Sequence, residues 1–592
     1  MSDFLYSSRP RPQGELRTIL NSFLESVSAS IIEEHGPWGS LAVAACPHDV
    51  QPLVADENGI TVLLGWPVLH GTAGFTAAPV LDPGRRKAVH ELLLETRGAT
   101  TAASRLDGPF ATLTIDRTAA VADVLTDRMG FIPLFHALPK DDESALVLGS
   151  HVDAVAVASA RVGDIDLVSA ADFTVHSTIT YPRTLYDGVV QFPPASARRW
   201  NRSGWESPEQ TYWFPMEQPT RYAGRAARAL RGAFRAAVQR GCEGREGVGL
   251  LLSGGEDSRA VLGAIPRSVR VDAFIFGDWE NREFRIARRI AEIYGAHLHF
   301  GQRQADHYLA YELVAPMLGT QHRYTDVHGY GLHRSLRLDE LPIVFDGYLS
   351  DSLLKANYAH RPKRRLVRRA SPLEGERHPP IIANAAGLRE DLLREVERRR
   401  DAHRDLIRRM RPFSAAEWLV LWPFSMRATG SNIHGSRRLF RSYEPYVSNE
   451  ILEIAAAVPQ LWKRERLLFH RAMRPFLAPS WFVPHGRSKY PYFGPIANVP
   501  LGLGVKWARM LRDRLAGERG RVQGPWPELS QLVATPAMHS RRSAMALEET
   551  PFAELFQPGL DPRKRQEAQS RWTPEQQLGF LQMVHLYHRT AA

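Results

Sequence analysis

Short runs of apolar residues alternate with turn residues through the first third of the chain. The clearest runs cover residues 41–46, 60–64, 110–115 and 145–148. This alternation is typical of an antiparallel sheet protein. Residues 84–97 break the pattern, because their apolar side chains recur at a spacing that favours a helix. The pattern therefore predicts a β-rich first region with a helix inserted into it.

The pattern changes after about residue 220. Residues 222–240 carry apolar positions at helical spacing, and residues 248–252 form a short apolar run typical of a buried strand. A second apolar run at 271–277 is followed by an amphipathic segment over 283–297, in which Gly295 is a helix stop signal. Strands that alternate with helices in this way predict a parallel sheet, which binds ligands at the carboxyl ends of its strands.

The turn that follows the 248–252 strand carries the candidate chemistry. Its sequence is Ser-Gly-Gly-Glu-Asp-Ser over residues 253–258. Gly254 and Gly255 allow a sharp turn whose N–H groups are open to an anion, with a helix N-terminus directly behind them. Ser253 and Ser258 add hydroxyl donors. Asp257 offers a hard oxygen ligand for Mg²⁺. These features suit a pyrophosphate group together with its metal ion.

Two common phosphate-binding motifs are missing from this turn. It has neither the G-x-G-x-x-G pattern of dinucleotide-binding proteins nor the G-x-x-x-x-G-K-[ST] pattern of a Walker loop. A solvent-facing strand-to-helix turn without any ligand is the alternative interpretation, because glycine pairs and serines are common in such turns.

Composition limits the classes of protein. A chain of 592 residues that is 44% hydrophobic should form more than one packed domain. It contains no uninterrupted apolar stretch long enough to span a membrane and no apolar core of a signal peptide near its start. Cys46 and Cys242 are too few for a disulfide framework or a four-cysteine metal site. We therefore expect no membrane span and a cytoplasmic location.

The net charge of +11 and the pI near 9.7 suit an anionic partner, which could be a nucleotide, an acidic peptide or a nucleic acid. The arginines are spread along the chain, however, and no nucleic-acid-binding module is recognisable. A nucleic-acid partner is therefore not expected. A basic run at residues 361–369, within the unfamiliar stretch 355–412, is either a solvated face or a docking surface for an acidic peptide.

The Ser-Gly-Gly-x-Asp-Ser turn resembles the pyrophosphate loop of the ATP-pyrophosphatase enzymes, and most of all that of asparagine synthetases and their relatives. This resemblance implies an α/β protein with two domains. Residues 1–215 would form an antiparallel, β-rich domain like an inactive class II glutamine amidotransferase. Residues 216–592 would form a parallel-sheet, adenylating ATP-pyrophosphatase domain with added helices. The resemblance also implies ATP and Mg²⁺ as cofactors.

The first domain departs from the family at one decisive position. Residues 106–111, 126–135 and 188–194 are similar to three segments of the glutaminase domain, in the same order. That domain uses a cysteine as its first residue after Met1, and the thiolate attacks glutamine. Ser2 stands at that position here, and Cys46 lies inside an apolar run where an inert buried role is expected. We therefore expect that glutamine is not the nitrogen source.

Several further residues are assigned roles only through the resemblance. Leu251 and Phe276 match an adenosine pocket, although plain core positions would explain them equally. Gly347 and Asp351 match a loop that closes over the nucleotide, with Asp351 as a second Mg²⁺ ligand or else a capping aspartate. Lys489, in step with Arg487, matches a lysine on the α-phosphate, with a surface lysine as the alternative. The remaining candidates, for the base that deprotonates the nucleophile, are Tyr348 and Glu444.

The resemblance implies an ATP-dependent ligase that adenylates a carboxylate, releases pyrophosphate and AMP, and forms an amide. Because Ser2 argues against ammonia from glutamine, the amine should come from the substrate itself. Macrolactam closure of a precursor peptide, as in lasso-peptide cyclases, is the favoured hypothesis, with a leader-peptide protease and a recognition protein as potential partners. The alternatives are a β-lactam synthetase-like or other small-molecule amide synthetase, a tRNA-modifying enzyme and a non-catalytic adaptor.

Overall fold

A computed structural model gives the structure of the protein. It describes residues 1–49, 51–71, 77–97, 100–206, 210–218, 222–304, 306–356, 385–486, 488–493, 495–515, 523–524 and 527–591. The basic run at 361–369 and Arg487 lie outside these residues.

Among the described residues, the first region consists of β-strands and five helices, whereas the pattern predicts the strands and a single helix over residues 84–97. The strands are β1 (Asp3–Ser7), β2 (Ser30–Gly36), β3 (Gly39–Ala45), β4 (Leu53–Ala55), β5 (Gly59–Gly65), β6 (Val68–Leu69), β7 (Leu106–Asp107), β8 (Phe110–Asp116), β9 (Val121–Thr126), β10 (Phe135–Ala137), β11 (Val147–Gly149), β12 (Val189–Gln191), β13 (Ser196–Asn201), β14 (Gly204–Trp205) and β15 (Gln210–Thr211). The helices are α1 (Glu15–Leu24), α2 (Pro83–Glu95), α3 (Thr100–Ala103), α4 (Val152–Ala158) and α5 (Leu167–His176).

Two antiparallel sheets pack face to face in this region. One has the strand order β12-β10-β11-β1-β3-β2, and the other has β14-β13-β9-β8-β5-β4 with β15 paired to β13. Alternate side chains of both sheets, such as Phe4, Val43, Val62 and Leu113, fill the space between them. Helix α2 covers the outer face of the second sheet through Val89 and Leu93, two of the residues that predict it.

The second region is built on a five-stranded parallel sheet. Its strands are β16 (Gly247–Leu251), β17 (Arg270–Gly277), β18 (His297–Gln302), β19 (Val344–Phe345) and β20 (Ser442–Tyr443), in the order β18-β17-β16-β19-β20. The helices α6 (Ala223–Cys242), α7 (Asp257–Ala264) and α8 (Arg282–Tyr294) precede and connect these strands, as the pattern predicts. The N-cap of α8 is Asn281, and Gly295 ends it with a positive φ of 74°.

Helices surround the parallel sheet and continue to the C-terminal end. They are α9 (Tyr311–Leu318), α10 (Leu332–Ser335), α11 (Ser350–Lys355), α12 (Glu390–Met410), α13 (Ala415–Trp418), α14 (Ser431–Leu439), α15 (Asn449–Ala457), α16 (Gln460–Lys463), α17 (Leu467–Leu477), α18 (Pro495–Leu515), α19 (Leu529–Val533), α20 (Pro536–Ser543), α21 (Pro562–Ser570) and α22 (Pro574–Ala591). No helix in the described part of the chain is long and apolar enough to cross a membrane.

The two regions share a hydrophobic core. Leu5 and Phe173 from the first region belong to the same buried cluster as Phe580 of α22. Buried ion pairs also join the regions: Asp3 binds Arg438 at 2.6 Å, and Asp172 binds Arg400 at 2.7 Å. The mixed α/β architecture predicted from the sequence is confirmed.

Candidate active site

The Ser253–Ser258 turn lies at the carboxyl end of β16, the central strand of the parallel sheet, and leads directly into α7. Its two serines fix its shape. The Ser253 amide donates to Ser258 Oγ at 3.1 Å, and the Gly255 amide donates to Ser253 Oγ at 3.1 Å. The turn therefore has the strand-turn-helix setting that the sequence predicts.

Burial alternates along this segment. The side chains or Cα groups of one set of positions are half-buried, whereas the positions between them are buried. The half-buried set is Leu251, Ser253, Gly255 and Asp257, and the buried set is Leu252, Gly254, Glu256 and Ser258. One side of the turn is thus accessible to a ligand while the other packs into the protein.

Two glycines are required by close packing around the turn. A Cβ at Gly254 would lie 2.9 Å from Ile286 of α8, so the turn can approach this helix only with glycine. A Cβ at Gly347 would lie 2.6 Å from the Ser258 amide nitrogen. The segment that begins at Gly347 therefore lies directly against the N-terminus of α7, which brings two separate predicted motifs together.

Asp257 is held on one side only. Its Oδ1 accepts hydrogen bonds from Ser350 Oγ and from Lys355 Nζ, both on α11. Its Oδ2 has no partner among the described residues, and 26% of the side chain is exposed. Burial raises the pKa of the Asp257 carboxyl, although the Lys355 charge opposes this shift. One carboxylate oxygen is therefore free to face a ligand.

Glu256, next in the chain, is enclosed by cations. Its carboxylate binds Lys355 at 2.9 Å, Arg466 at 2.6 Å and His470 at 3.0 Å. Burial alone would raise the pKa of Glu256, but Lys355, His470 and Arg466 hold it well below its usual range. Glu256 is therefore an ionised, fully engaged anchor of the turn, with no role assigned to it from the sequence.

Asp351 and Tyr348 lie on the segment that packs against the turn. Asp351 Oδ1 accepts a hydrogen bond from Ser352 Oγ at 2.9 Å and lies 3.7 Å from Arg427, with 37% of its side chain exposed. The Tyr348 hydroxyl donates to the Thr429 carbonyl, and the Arg427 guanidinium carbon lies 5.2 Å from the centroid of the Tyr348 ring. Burial raises the pKa of Tyr348 above its usual value.

The loop that carries Lys489 packs against the same turn. Arg259 of α7 donates to the carbonyls of Val483 and Gly254 at 2.7 and 3.2 Å, which ties the loop to the turn. A Cβ at Gly486 would lie 2.6 Å from Glu283 Oε2, at the start of α8. Lys489 itself is exposed and makes no ion pair among the described residues. Its ammonium group is thus available to an anionic ligand.

The Glu444 side chain is 1% exposed, against 26% for Asp257. It is buried, forms an ion pair with Arg437, and accepts a hydrogen bond from Ser442 Oγ at 2.5 Å. Its neighbour Asp346 has a pKa raised to about 7, first by burial and then by the Glu444 charge. Glu444 also lines a small cavity of about 20 Å³ between the two regions. The Glu444 carboxylate, which the sequence predicts as a base, is therefore already paired with Arg437.

Leu251 and Phe276 lie near the carboxyl ends of adjacent strands, where the resemblance implies an adenosine pocket. Both side chains are half-buried and pack against the shared core. Gly301 pairs with Phe276 in the sheet, and a Cβ there would lie 2.8 Å from the Phe276 ring. Their positions fit either a pocket wall or a core residue.

The region around Ser2 is closed. The amide and hydroxyl of Ser2 both donate to Asp49 Oδ2, at 3.1 and 2.7 Å, and Arg86 binds Asp49 Oδ1 at 2.5 Å. Cys46 is also buried, with its thiol 2.8 Å from the Met1 carbonyl, and burial raises the pKa of this thiol. Because burial raises its pKa, Cys46 stays an unreactive thiol, as its apolar sequence context predicts.

The donor set at the turn fits Mg²⁺ shared with a nucleotide. Mg²⁺ commonly binds one or two protein carboxylates and completes its shell with water and substrate phosphates. Asp257 has an unengaged carboxylate oxygen, and Asp351 is partly exposed on the adjoining helix α11. Within the described ranges, no group of three or more His, Cys, Asp or Glu side chains is arranged to hold a metal by itself.

Two domain families match the chain. Residues 90–213 match the model of a glutamine amidotransferase domain, and residues 229–482 match that of asparagine synthase. No curated protein matches closely enough to count as a relative. These two matches support the asparagine synthetase-like family. The second domain supports ATP-dependent amide-bond formation as the general activity.

Sequence reasoning missed the cations of the site. Lys355, Arg466 and His470 contact the turn, and Arg427 lies beside Asp351. Lys355 carries the clearest signal, because it lies four residues after Asp351 in a helix. That spacing would favour an ion pair with Asp351. The structure instead pairs Lys355 with Glu256 and Asp257, and Arg427 approaches Asp351. The i,i+4 rule would therefore have identified the residue but assigned the wrong partner.

Proposed function

We propose that this protein is an AMP-forming, ATP-dependent carboxylate-amine ligase that closes a macrolactam in a precursor peptide. The observation that carries the proposal is the half-buried Ser253–Ser258 turn, open on the side of Ser253, Gly255 and Asp257. It lies at the carboxyl end of a parallel strand and at a helix N-terminus, where anionic ligands bind.

In the first step a substrate carboxylate oxygen attacks the α-phosphorus of ATP. The bond between the α-phosphorus and the bridging oxygen breaks, and pyrophosphate leaves with the electron pair. The β- and γ-phosphates lie on the half-buried side of the turn, at Ser253 and Gly255, and Lys489 places a positive charge beside the α-phosphate. Asp257 and Asp351 would hold Mg²⁺, which neutralises charge on the departing pyrophosphate.

In the second step the substrate amine attacks the acyl carbon of the adenylate. The carbon–oxygen bond to AMP breaks, AMP leaves with the electron pair, and the amine nitrogen loses a proton. Positioning accounts for most of the catalysis, because adenylation already makes the carbonyl reactive. The candidates for the proton acceptor are Glu444, through its carboxylate, and Tyr348, which could take this proton only by passing on its own hydroxyl proton. Of the two, Tyr348 is closer in sequence and space to the turn, since it adjoins Gly347.

The closed state of the Ser2 region supports an amine that belongs to the substrate. A glutaminase needs an accessible nucleophile, whereas Ser2 is fully buried and donates its hydroxyl to Asp49. Joining two groups of one molecule removes the need for a separate nitrogen donor. The net charge of +11 further suits a peptide substrate that carries acidic side chains.

Intact-mass analysis of a candidate precursor tests this proposal. The peptide is incubated with the protein, ATP and Mg²⁺, and its mass is followed together with AMP and pyrophosphate. The proposal predicts loss of one water per peptide and one AMP per ring. Release of AMP with a small amino-acid derivative but with no peptide would favour a β-lactam synthetase-like enzyme. If no carboxylate substrate that is tested leads to pyrophosphate release, the result would favour a non-catalytic adaptor.

A further inference from the structure

Lys355 is the last residue of α11, and its side chain enters the protein directly beneath the Ser253–Ser258 turn. Its ammonium group binds Asp257 Oδ1 and lies 2.9 Å from Glu256 Oε1. It also lies 4.2 Å from the ring centroid of Phe469. Only 2% of the side chain is exposed. The ammonium is therefore held in place by two carboxylates and an aromatic face.

The distribution of charge shows which carboxylate depends on Lys355. Glu256 has two other basic partners, Arg466 at 2.6 Å and His470 at 3.0 Å. Among the described residues, Asp257 has no other cationic partner and receives only the neutral Ser350 hydroxyl in addition. Lys355 is thus the cation that compensates Asp257.

This arrangement affects how a divalent cation can reach Asp257. A free metal ion binds where negative charge is uncompensated, and an ammonium on the same carboxylate both lowers that charge and repels a second cation. A metal already bound to a nucleotide brings negative phosphates with it. Such a complex can use the unengaged Oδ2 atom while its phosphates approach the half-buried side of the turn.

We infer that Lys355 is a fixed cation of the pyrophosphate site that excludes free divalent ions from Asp257 before the nucleotide arrives. It acts as a positioning residue, because it holds Oδ1 and leaves Oδ2 unengaged. The exclusion of free metal stands on the contacts of Lys355 alone. Only the statement that metal enters with ATP rests on the proposed function.

Titration of the nucleotide-free protein with Mn²⁺, followed by the loss of free-Mn²⁺ electron paramagnetic resonance signal, tests this inference. The unaltered protein should bind Mn²⁺ no tighter than about 1 mM. Lys355→Met should bind one Mn²⁺ at least about tenfold tighter, because both carboxylates then lack their shared cation. Unchanged Mn²⁺ affinity in Lys355→Met would overturn the inference.

Lys463→Met is the matched control. Lys463 is also a fully buried lysine, paired with Glu417 and 5.7 Å from the ring of Trp418, but it has no contact with the turn. Its replacement should lower stability and leave Mn²⁺ binding as in the unaltered protein. Tighter Mn²⁺ binding in both variants would show a general effect of lost positive charge and would overturn the role assigned to Lys355.

If Lys355→Met fails to fold, Mn²⁺ binding to the unaltered protein still tests the inference. Micromolar Mn²⁺ binding without nucleotide, removed by Asp257→Asn, would contradict metal exclusion. The inference instead predicts tight binding of one Mn²⁺ only after addition of α,β-methylene ATP. If the protein binds no nucleotide, the proposed function is wrong. Provided that Lys355→Met folds, its comparison with Lys463→Met still decides the role of Lys355.

Discussion

Two aspartates in this protein have nearly the same chemical surroundings and opposite accessibility. Asp49 is held by Arg86 and by Ser2, and Asp257 is held by Lys355 and by Ser350. Both oxygens of Asp49 have partners, and the side chains of Asp49 and Arg86 are at most 1% exposed. Asp257 keeps one oxygen unengaged and 26% of its side chain exposed.

The difference shows what separates a structural carboxylate from one that can act on a ligand. A buried cation next to an aspartate indicates only that the negative charge of the aspartate is compensated. In the first region the serine amide and hydroxyl close the remaining side, so the group contributes to packing. In the second region the parallel sheet leaves the remaining side open at the ends of its strands. Accessibility, rather than the local partners, distinguishes the two.

Replacing Asp257 should have the largest effect on activity. Asp257→Ala removes the open carboxylate oxygen, and we expect ATP–pyrophosphate exchange to fall by at least about a thousandfold with the peptide substrate present. The free energy of unfolding should fall less than after the loss of a sole partner, because the buried Lys355 keeps its ion pair with Glu256. Asp272→Ala, on the neighbouring strand β17, is the control and should keep full exchange. Full exchange in Asp257→Ala would show that the turn does not bind the nucleotide.

Arg86→Met tests the closed aspartate. It leaves the Asp49 charge buried and unpaired, which should lower the free energy of unfolding by about 3–5 kcal/mol. Chemical denaturation measures this loss, and exchange per folded molecule should not change. Arg85→Met is the matched control, because the adjacent Arg85–Asp82 pair is partly exposed and should contribute less than about 1 kcal/mol. Equal losses in both variants would contradict the assignment of Asp49 to a structural role.

Asp346, beside the turn, should make stability depend on pH. Its pKa is raised to about 7 from an unfolded value near 3.8, so the folded state favours the neutral carboxyl. Its contribution to stability is therefore complete below about pH 4 and is lost as the pH rises through about 7. Because Asn does not titrate, the stability of Asp346→Asn relative to the unaltered protein should increase by roughly 2 kcal/mol between pH 5 and pH 8.

Denaturant titrations of both proteins at the two pH values measure this difference. Taking the difference between the proteins cancels groups that titrate in the opposite direction, such as His322. The pKa of His322 is lowered to about 3 by burial, so its contribution is lost as the pH falls below about 6.5. A constant stability difference between the two pH values would contradict the raised pKa of Asp346.

Ser2→Cys should have the smallest effect. The new thiol would lie in the same closed position, facing Asp49 and covered by the protein. A thiol needs access to glutamine and an available base, so we expect no glutamate release above that of the unaltered protein. An assay for glutamate with glutamine as the only substrate checks this. A useful rate in the unaltered protein would contradict the view that the first region has lost glutaminase chemistry.

Much of the fold was predictable because its signals are local. The apolar run before Ser253 and the helical spacing after it fix β16 and α7, and Gly295 marks the end of α8. Each of these elements depends on periodicity and on a turn or capping residue within a few positions. The turn at Ser253–Ser258 was identifiable for the same reason.

The charge network of the site was not predictable, because its partners are distant in sequence. Lys355 reaches back 98 residues to Asp257, and Arg466 reaches back 210 residues to Glu256. In the first region, Ser2 meets Asp49 across 47 residues. No spacing rule connects such positions, and residue type alone cannot show which aspartate remains open. The closed state of one carboxylate and the open state of the other emerge only from the packing of the whole chain.

A structure of the protein bound to α,β-methylene ATP and Mg²⁺ would test the central claim most directly. We expect the β- and γ-phosphates on the half-buried side of the turn, at Ser253 and Gly255, with the metal on Asp257 Oδ2. Lys355 should remain on Oδ1. Phosphates bound elsewhere on the molecule, with the turn left without a ligand, would contradict the claim that this turn binds the nucleotide.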